Sequence, residues 1–96
     1  MAKAPAKESK VKRIDFSLNA PDAQAVLLVG TFNDWSLTRH PMKKDAQGLW
    51  KKTVMLAPGT YEYKFVVDGN WIEDPLNERR ILNSFGSANS IVHVRK

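Results

Sequence analysis

Apolar and polar residues alternate along most of this chain with a period of two, the spacing of strands that bury one face. Between Val11 and Leu18, Ile14, Phe16 and Leu18 share one parity, and Arg13, Asp15 and Ser17 the other. The clearest case runs from Thr60 to Asp68, where Tyr61, Tyr63, Phe65 and Val67 oppose Glu62, Lys64 and Val66. Trp50, Val54 and Leu56 repeat the pattern, but Lys52 shares their parity and predicts either a bulge or a lysine that snorkels out at an edge. Val26, Leu27, Leu28 and Val29 are consecutive and apolar. That run predicts a strand covered on both faces, or one whose outer face meets a partner.

Turn chemistry separates these runs. Asn19 to Asp22, Asp45 to Gly48, Ala57 to Gly59 and Asp68 to Asn70 hold the Asn, Asp, Pro and Gly residues that favour reversals for stereochemical reasons. Pro41 to Lys44 reads as a short edge segment, Trp71 to Glu73 as a return strand ending at Asp74-Pro75, and Ser90 to Val94 as the last strand. Leu76 to Asn89 reads as a long loop. No segment has a helical period. Six to eight short strands with turns between them predict an all-β fold, an antiparallel immunoglobulin-like β-sandwich.

The three tryptophans stand in two contexts. Trp50 lies in an alternating strand and reads as a core aromatic, whereas Trp35 follows Phe32-Asn33-Asp34 and Trp71 follows Asp68-Gly69-Asn70, both turns, and both read as displayed.

Composition narrows what such a display can serve. Ninety-six residues hold one domain and one modest core, too small for a catalytic barrel. With 43% hydrophobic and 26% charged residues the chain is of ordinary globular type, and no apolar run approaches the ~20 residues of a membrane span. The formal charge of +5 is uneven: residues 1–13 carry five Lys/Arg and one Glu, residues 14–96 ten and nine. We therefore expect a disordered basic leader over 1–12 and a nearly neutral domain over 13–96, with no nucleic-acid partner. The chain has no cysteine, which excludes disulfides and thiolate metal sites. MAKAPAKESKVKR lacks the apolar stretch of a secretory signal, so a cytoplasmic location is expected.

Chemistry is sparse. Asp68, Glu73 and Asp74 cluster near Trp71, and glycoside hydrolysis needs two carboxylates, yet Asp68 and Asp74 occupy turns where Asp serves the backbone. His40 and His93 have no partner at metal-ligand spacing. No catalytic residue, metal or cofactor is expected. What remains is flat side chains on turns, with Lys64 on the face opposite the core. Indole faces cover the apolar C–H surface of a sugar ring while ammonium and amide groups bond its hydroxyls. Single-stranded nucleic acid or a protein interface would use similar parts.

From about Val26 to Val94 the chain resembles carbohydrate-binding module family 48, which includes the glycogen-binding domains of AMP-activated protein kinase β subunits and amino-terminal domains of branching and debranching enzymes. The resemblance rests on VLLVGTFNDW, on PMKKDAQGLWKKTVMLAPGTYEYKFVVDGNWIEDP and on GSANSIVHV. It implies that Trp35 and Trp71 stack on successive glucose units of an α-1,4 chain, and that Lys64 and Asn89 donate to sugar hydroxyls. The loop residue that is leucine in the kinase domain is Phe85 here, a third platform, and Ser87 of the same loop completes the implied set. The implied partners are an α-glucan and a glycogen-metabolising enzyme or kinase subunit. Some members act chiefly as docking domains, which leaves a second expectation: a protein-interaction module that targets a partner through Leu27 and Val29.

Overall fold

The computed structural model describes residues 11–96, so the expected leader lies outside the described residues except for its last two, and Lys12 already opens the first strand. Eight strands follow: β1 (Lys12–Asn19), β2 (Val26–Gly30), β3 (Lys43–Lys44), β4 (Leu49–Leu56), β5 (Gly59–Val67), β6 (Asn70–Ile72), β7 (Arg80–Leu82) and β8 (Ala88–Val94). They form two antiparallel sheets, β1-β4-β3 and β2-β5-β8-β7, with β6 also on β5. The result is the all-β sandwich that the alternation predicts.

The inner parities meet as expected. Phe16 and Leu18 of β1, Val26 and Leu28 of β2, Trp50, Val54 and Leu56 of β4, and Tyr63 and Phe65 of β5 form one buried cluster. Leu28 and Phe65 are wholly inaccessible, and burying a side chain of that size contributes about 2 to 3 kcal/mol. Trp50 is 6% exposed, and its indole N–H donates to the Ala20 carbonyl at 2.8 Å. The polar atom of this core aromatic is thereby satisfied. The Tyr63 hydroxyl donates to the Asp74 carboxylate at 2.7 Å and accepts from the Asn77 side chain. Burial, then the Asp74 carboxylate, holds this phenol well above its ordinary pKa.

Two expectations about the last strands need correction. The stretch Leu76 to Asn89 is not one long loop, because β7 lies within it and pairs Ile81 with Asn89. Asn89 therefore sits inside β8 rather than before the last strand. As expected, Trp71 lies in the return strand, β6, opposite Val66 and just beyond the Asp68-Gly69 turn, in which both residues take positive φ. Of the two readings of Lys52 the bulge is excluded, because the β1–β4 register runs unbroken from Lys12↔Leu56 to Asn19↔Leu49. The lysine is half-buried where β4 has passed the end of its two-residue partner β3.

A further correction bears on docking. Val29 is 0% exposed and Val66 5%, although both face away from the core cluster. The outer face of β2 and β5 is thus closed over by side chains, and Leu27 with Val29 does not make a free apolar surface.

Candidate functional site

Strand β5 organises the site because its two halves have different neighbours. Along one edge Gly59 to Tyr63 pairs with β8, and Phe65 to Val67 then pairs with β6. Lys64 stands at the seam between them, so the register brings Trp71 from one side and Asn89 from the other to the same outer face. On its opposite edge Lys64 pairs with Val29, two residues before the turn that carries Trp35.

That turn is held by a residue the sequence reading passed over as a turn former. Asn33, 1% exposed, accepts from the backbone N–H of Gly30 (3.1 Å) and Ser36 (3.2 Å) through Oδ1. Its Nδ2 donates to the Leu28 carbonyl (3.1 Å) and meets His40 Nδ1 at 2.7 Å. All four capacities of the amide are used. The network fixes a strained segment: Asp34 and Trp35 both have left-handed backbone (φ 56° and 57°), at a cost of about 1 kcal/mol or more per non-glycine residue. Gly30 is required by close approach, since a Cβ there would lie 2.5 Å from the Glu62 carbonyl oxygen.

Because Asn33 Nδ2 is a donor, His40 Nδ1 must accept, which makes the imidazole neutral with its proton on Nε2. Burial first, then the Lys52 and Arg39 cations, pushes the His40 pKa below its ordinary value. The unfolded chain thus takes up the proton more readily than the folded one. The His40 contribution to stability is complete above about pH 6.5, the unfolded value, and is lost as pH falls through the lower folded value. Thermal melts of the wild type and His40→Asn from neutral to mildly acid pH check this. The gap between them narrows on acidification, since the asparagine carbonyl accepts in place of Nδ1 without titrating.

The six residues singled out in the sequence, Trp35, Lys64, Trp71, Phe85, Ser87 and Asn89, all line one shallow groove of about 600 Å³. Trp35 and Trp71 form a pair with ring centroids 6.5 Å apart and planes inclined at 42°. Trp71 is 47% exposed and Phe85, on the β7–β8 connection, 91%. Lys64 is only 7% exposed, and its Nζ donates to Ser87 Oγ at 3.0 Å. No carboxylate of the described residues lies within ion-pair distance of it.

Thr31, Glu62 and Asn83 also line the groove, and the sequence reading missed them. Asn83 joins the others: its Nδ2 donates to Ser87 Oγ (3.0 Å) and Asn89 Oδ1 (3.1 Å), while its Oδ1 accepts from the backbone N–H of Phe85 and Ser87. Asn89 in turn donates through Nδ2 to Glu62 Oε1 at 2.9 Å. A signal for Glu62 existed, since it stands two positions before Lys64 on the same parity; nothing local singled out Asn83.

The carboxylates weighed for catalysis have structural partners. Asp68 accepts from the backbone N–H of Gln24 and Ala25, Asp74 from Tyr63 and Leu76, and Glu73 pairs with Arg80 at 3.0 Å. Among the described residues no group of His, Asp or Glu is arranged to hold a metal ion, and no helix is long and apolar enough to cross a membrane.

Comparison with known proteins bears on this groove. The sequence family described as the glycogen recognition site of AMP-activated protein kinase matches residues 14–96. The chain belongs to that family. It is 46% identical over 72 residues to the chloroplastic Protein PTST homolog 2 of Arabidopsis thaliana, covering 75% of this chain and 13% of the relative. It is 37% identical over 71 residues to the human 5'-AMP-activated protein kinase subunit beta-2, covering 74% and 25%. It is also 40% identical over 65 residues to the 1,4-alpha-glucan branching enzyme GlgB of Deinococcus radiodurans, covering 68% and 9%. The chain thus spans a quarter or less of these relatives, and its family is one of carbohydrate-binding modules, accessory where the relative is an enzyme.

Proposed function

We propose that this chain is a non-catalytic module that binds α-1,4-linked glucan, such as glycogen or a starch-like oligosaccharide, in the groove over β5. The observation that carries this reading is the convergence of the Trp35–Trp71 pair with Lys64 and Asn89 on one face of a member of a glycogen-recognition family. Two indole faces inclined at 42° suit successive rings of a curved chain better than those of a flat ribbon. Lys64 and Asn89 supply hydroxyl donors between them, and Phe85 offers a further apolar platform at the rim. The groove walls hold one ammonium and one carboxylate, which suits a neutral ligand better than a polyanion. The structural engagement of Asp68, Glu73 and Asp74 favours binding over hydrolysis.

The implied partner beyond glucan is a glycogen-metabolising enzyme or a kinase subunit, as the short matched share of each relative suggests. A cytoplasmic location belongs to the same proposal, beside a relative named as chloroplastic.

Calorimetric titration with β-cyclodextrin and maltoheptaose tests the reading. A shallow two-platform site is expected to give a Kd of roughly ten micromolar to one millimolar. Added salt should leave it unchanged, because neutral sugars release no counterions. Failure to bind at millimolar sugar, together with steeply salt-dependent binding of single-stranded DNA, would replace this function by nucleic-acid binding.

A further inference from the structure

We infer that Glu62 is a further glucan-binding residue, which supplies an anionic hydroxyl acceptor beside the donors of the groove floor; this rests on the glucan reading of the same groove. A sugar hydroxyl both donates and accepts, so a floor of donors alone satisfies half of it. Lys64 has two N–H groups left after its bond to Ser87, and Asn89 has one left after its bond to Glu62. Each neutral side-chain acceptor of the groove already receives at least one bond, Thr31 Oγ1 from the Glu62 backbone N–H. Ser87 Oγ receives both Lys64 and Asn83, Asn83 Oδ1 receives two backbone N–H groups, and Asn89 Oδ1 receives Asn83. Glu62 Oε1 takes one bond from Asn89, while among the described residues Oε2 has no hydrogen-bond partner.

The placement of the two charges on β5 strengthens the case. Glu62 and Lys64 stand on one face at alternate positions, about 7 Å apart along the strand, yet form no ion pair. Each is held by the β7–β8 hairpin instead, Glu62 by Asn89 and Lys64 by Ser87. An acceptor and a donor kept apart in this way bracket neighbouring hydroxyls of one glucosyl unit: the ammonium donates to one oxygen and the carboxylate accepts from the next. The arrangement selects free hydroxyls, because an anionic substituent there would face the carboxylate.

Glu62→Gln isolates the claim. The amide keeps an oxygen for Asn89 but puts a donor where Oε2 stood. Titration with β-cyclodextrin, with the Asn89 side-chain amide resonance and the melting temperature followed in parallel, separates the outcomes. The expected result is an affinity lower by about tenfold, the worth of one hydrogen bond to a charged group, with the resonance and melting unchanged. Wild-type affinity in Glu62→Gln overturns the inference and leaves the glucan reading standing. A loss accompanied by displacement of the Asn89 resonance also overturns it, since Glu62 would then act only by positioning Asn89. If the wild type itself binds no cyclodextrin, the glucan reading fails first and this inference with it.

Discussion

Trp50→Ala is expected to lower stability by about 3 to 5 kcal/mol, a large share of the 5 to 15 kcal/mol typical of a domain. Trp50 faces Leu18 of β1 and Lys44 of β3 across the three-stranded sheet, so its ring bridges the whole layer. Removing it empties the space of the largest core side chain. It also strips the Ala20 carbonyl of its indole donor and the Lys44 ammonium of the ring it overlies at 5.6 Å. Each lost partner adds to the cavity penalty. For a chain of this length the melting temperature should fall by more than about 10 °C. Denaturant and thermal unfolding check this, and a variant that melts with the wild type would show that the sheet does not depend on that ring.

The second large effect falls on binding rather than on folding. Trp35→Ala and Trp71→Ala each remove one platform, and each should weaken maltoheptaose binding by about tenfold or more, roughly 1.4 kcal/mol upward. Trp71 is nearly half exposed and lies outside the core cluster, so its loss removes little core packing. Trp35 holds left-handed backbone fixed by Asn33 and by its own N–H bond to the Gly30 carbonyl at 2.8 Å, and neither bond uses the indole. Both variants should therefore melt close to the wild type. If either unfolds, its ring belongs to the core; if both fold and bind glucan normally, the groove is not the glucan site.

The contrast between a buried Trp50 and an exposed Trp71 was legible in sequence because each placement rests on local chemistry. Alternation fixes which side of β1, β4 and β5 meets the core, and the Asp-Gly and Asn-Asp pairs mark where the chain reverses. What escaped depends on partners far along the chain. All three residues of β7 are exposed, so no buried face printed a period on them; β7 is a strand because β8 offers it a ladder. Parity put Lys64 on the outer face but could not say that this face would be covered, leaving the lysine 7% exposed. Glu62 looked like a solvated charge until Asn89, twenty-seven residues later, was brought beside it. Asn33 carried the same ambiguity: its type suits a turn, and only the fold gives it His40 as a half-buried partner.

The most direct test of glucan binding on the Trp35–Trp71 face is a maltoheptaose titration followed at the three indole N–H resonances. The expected result is that the Trp35 and Trp71 signals move together and saturate along one curve, while the Trp50 signal, locked on the Ala20 carbonyl, stays in place. Saturable binding in which Trp35 and Trp71 remain still would contradict the assignment of the site, and no movement of any indole at millimolar sugar would contradict the function.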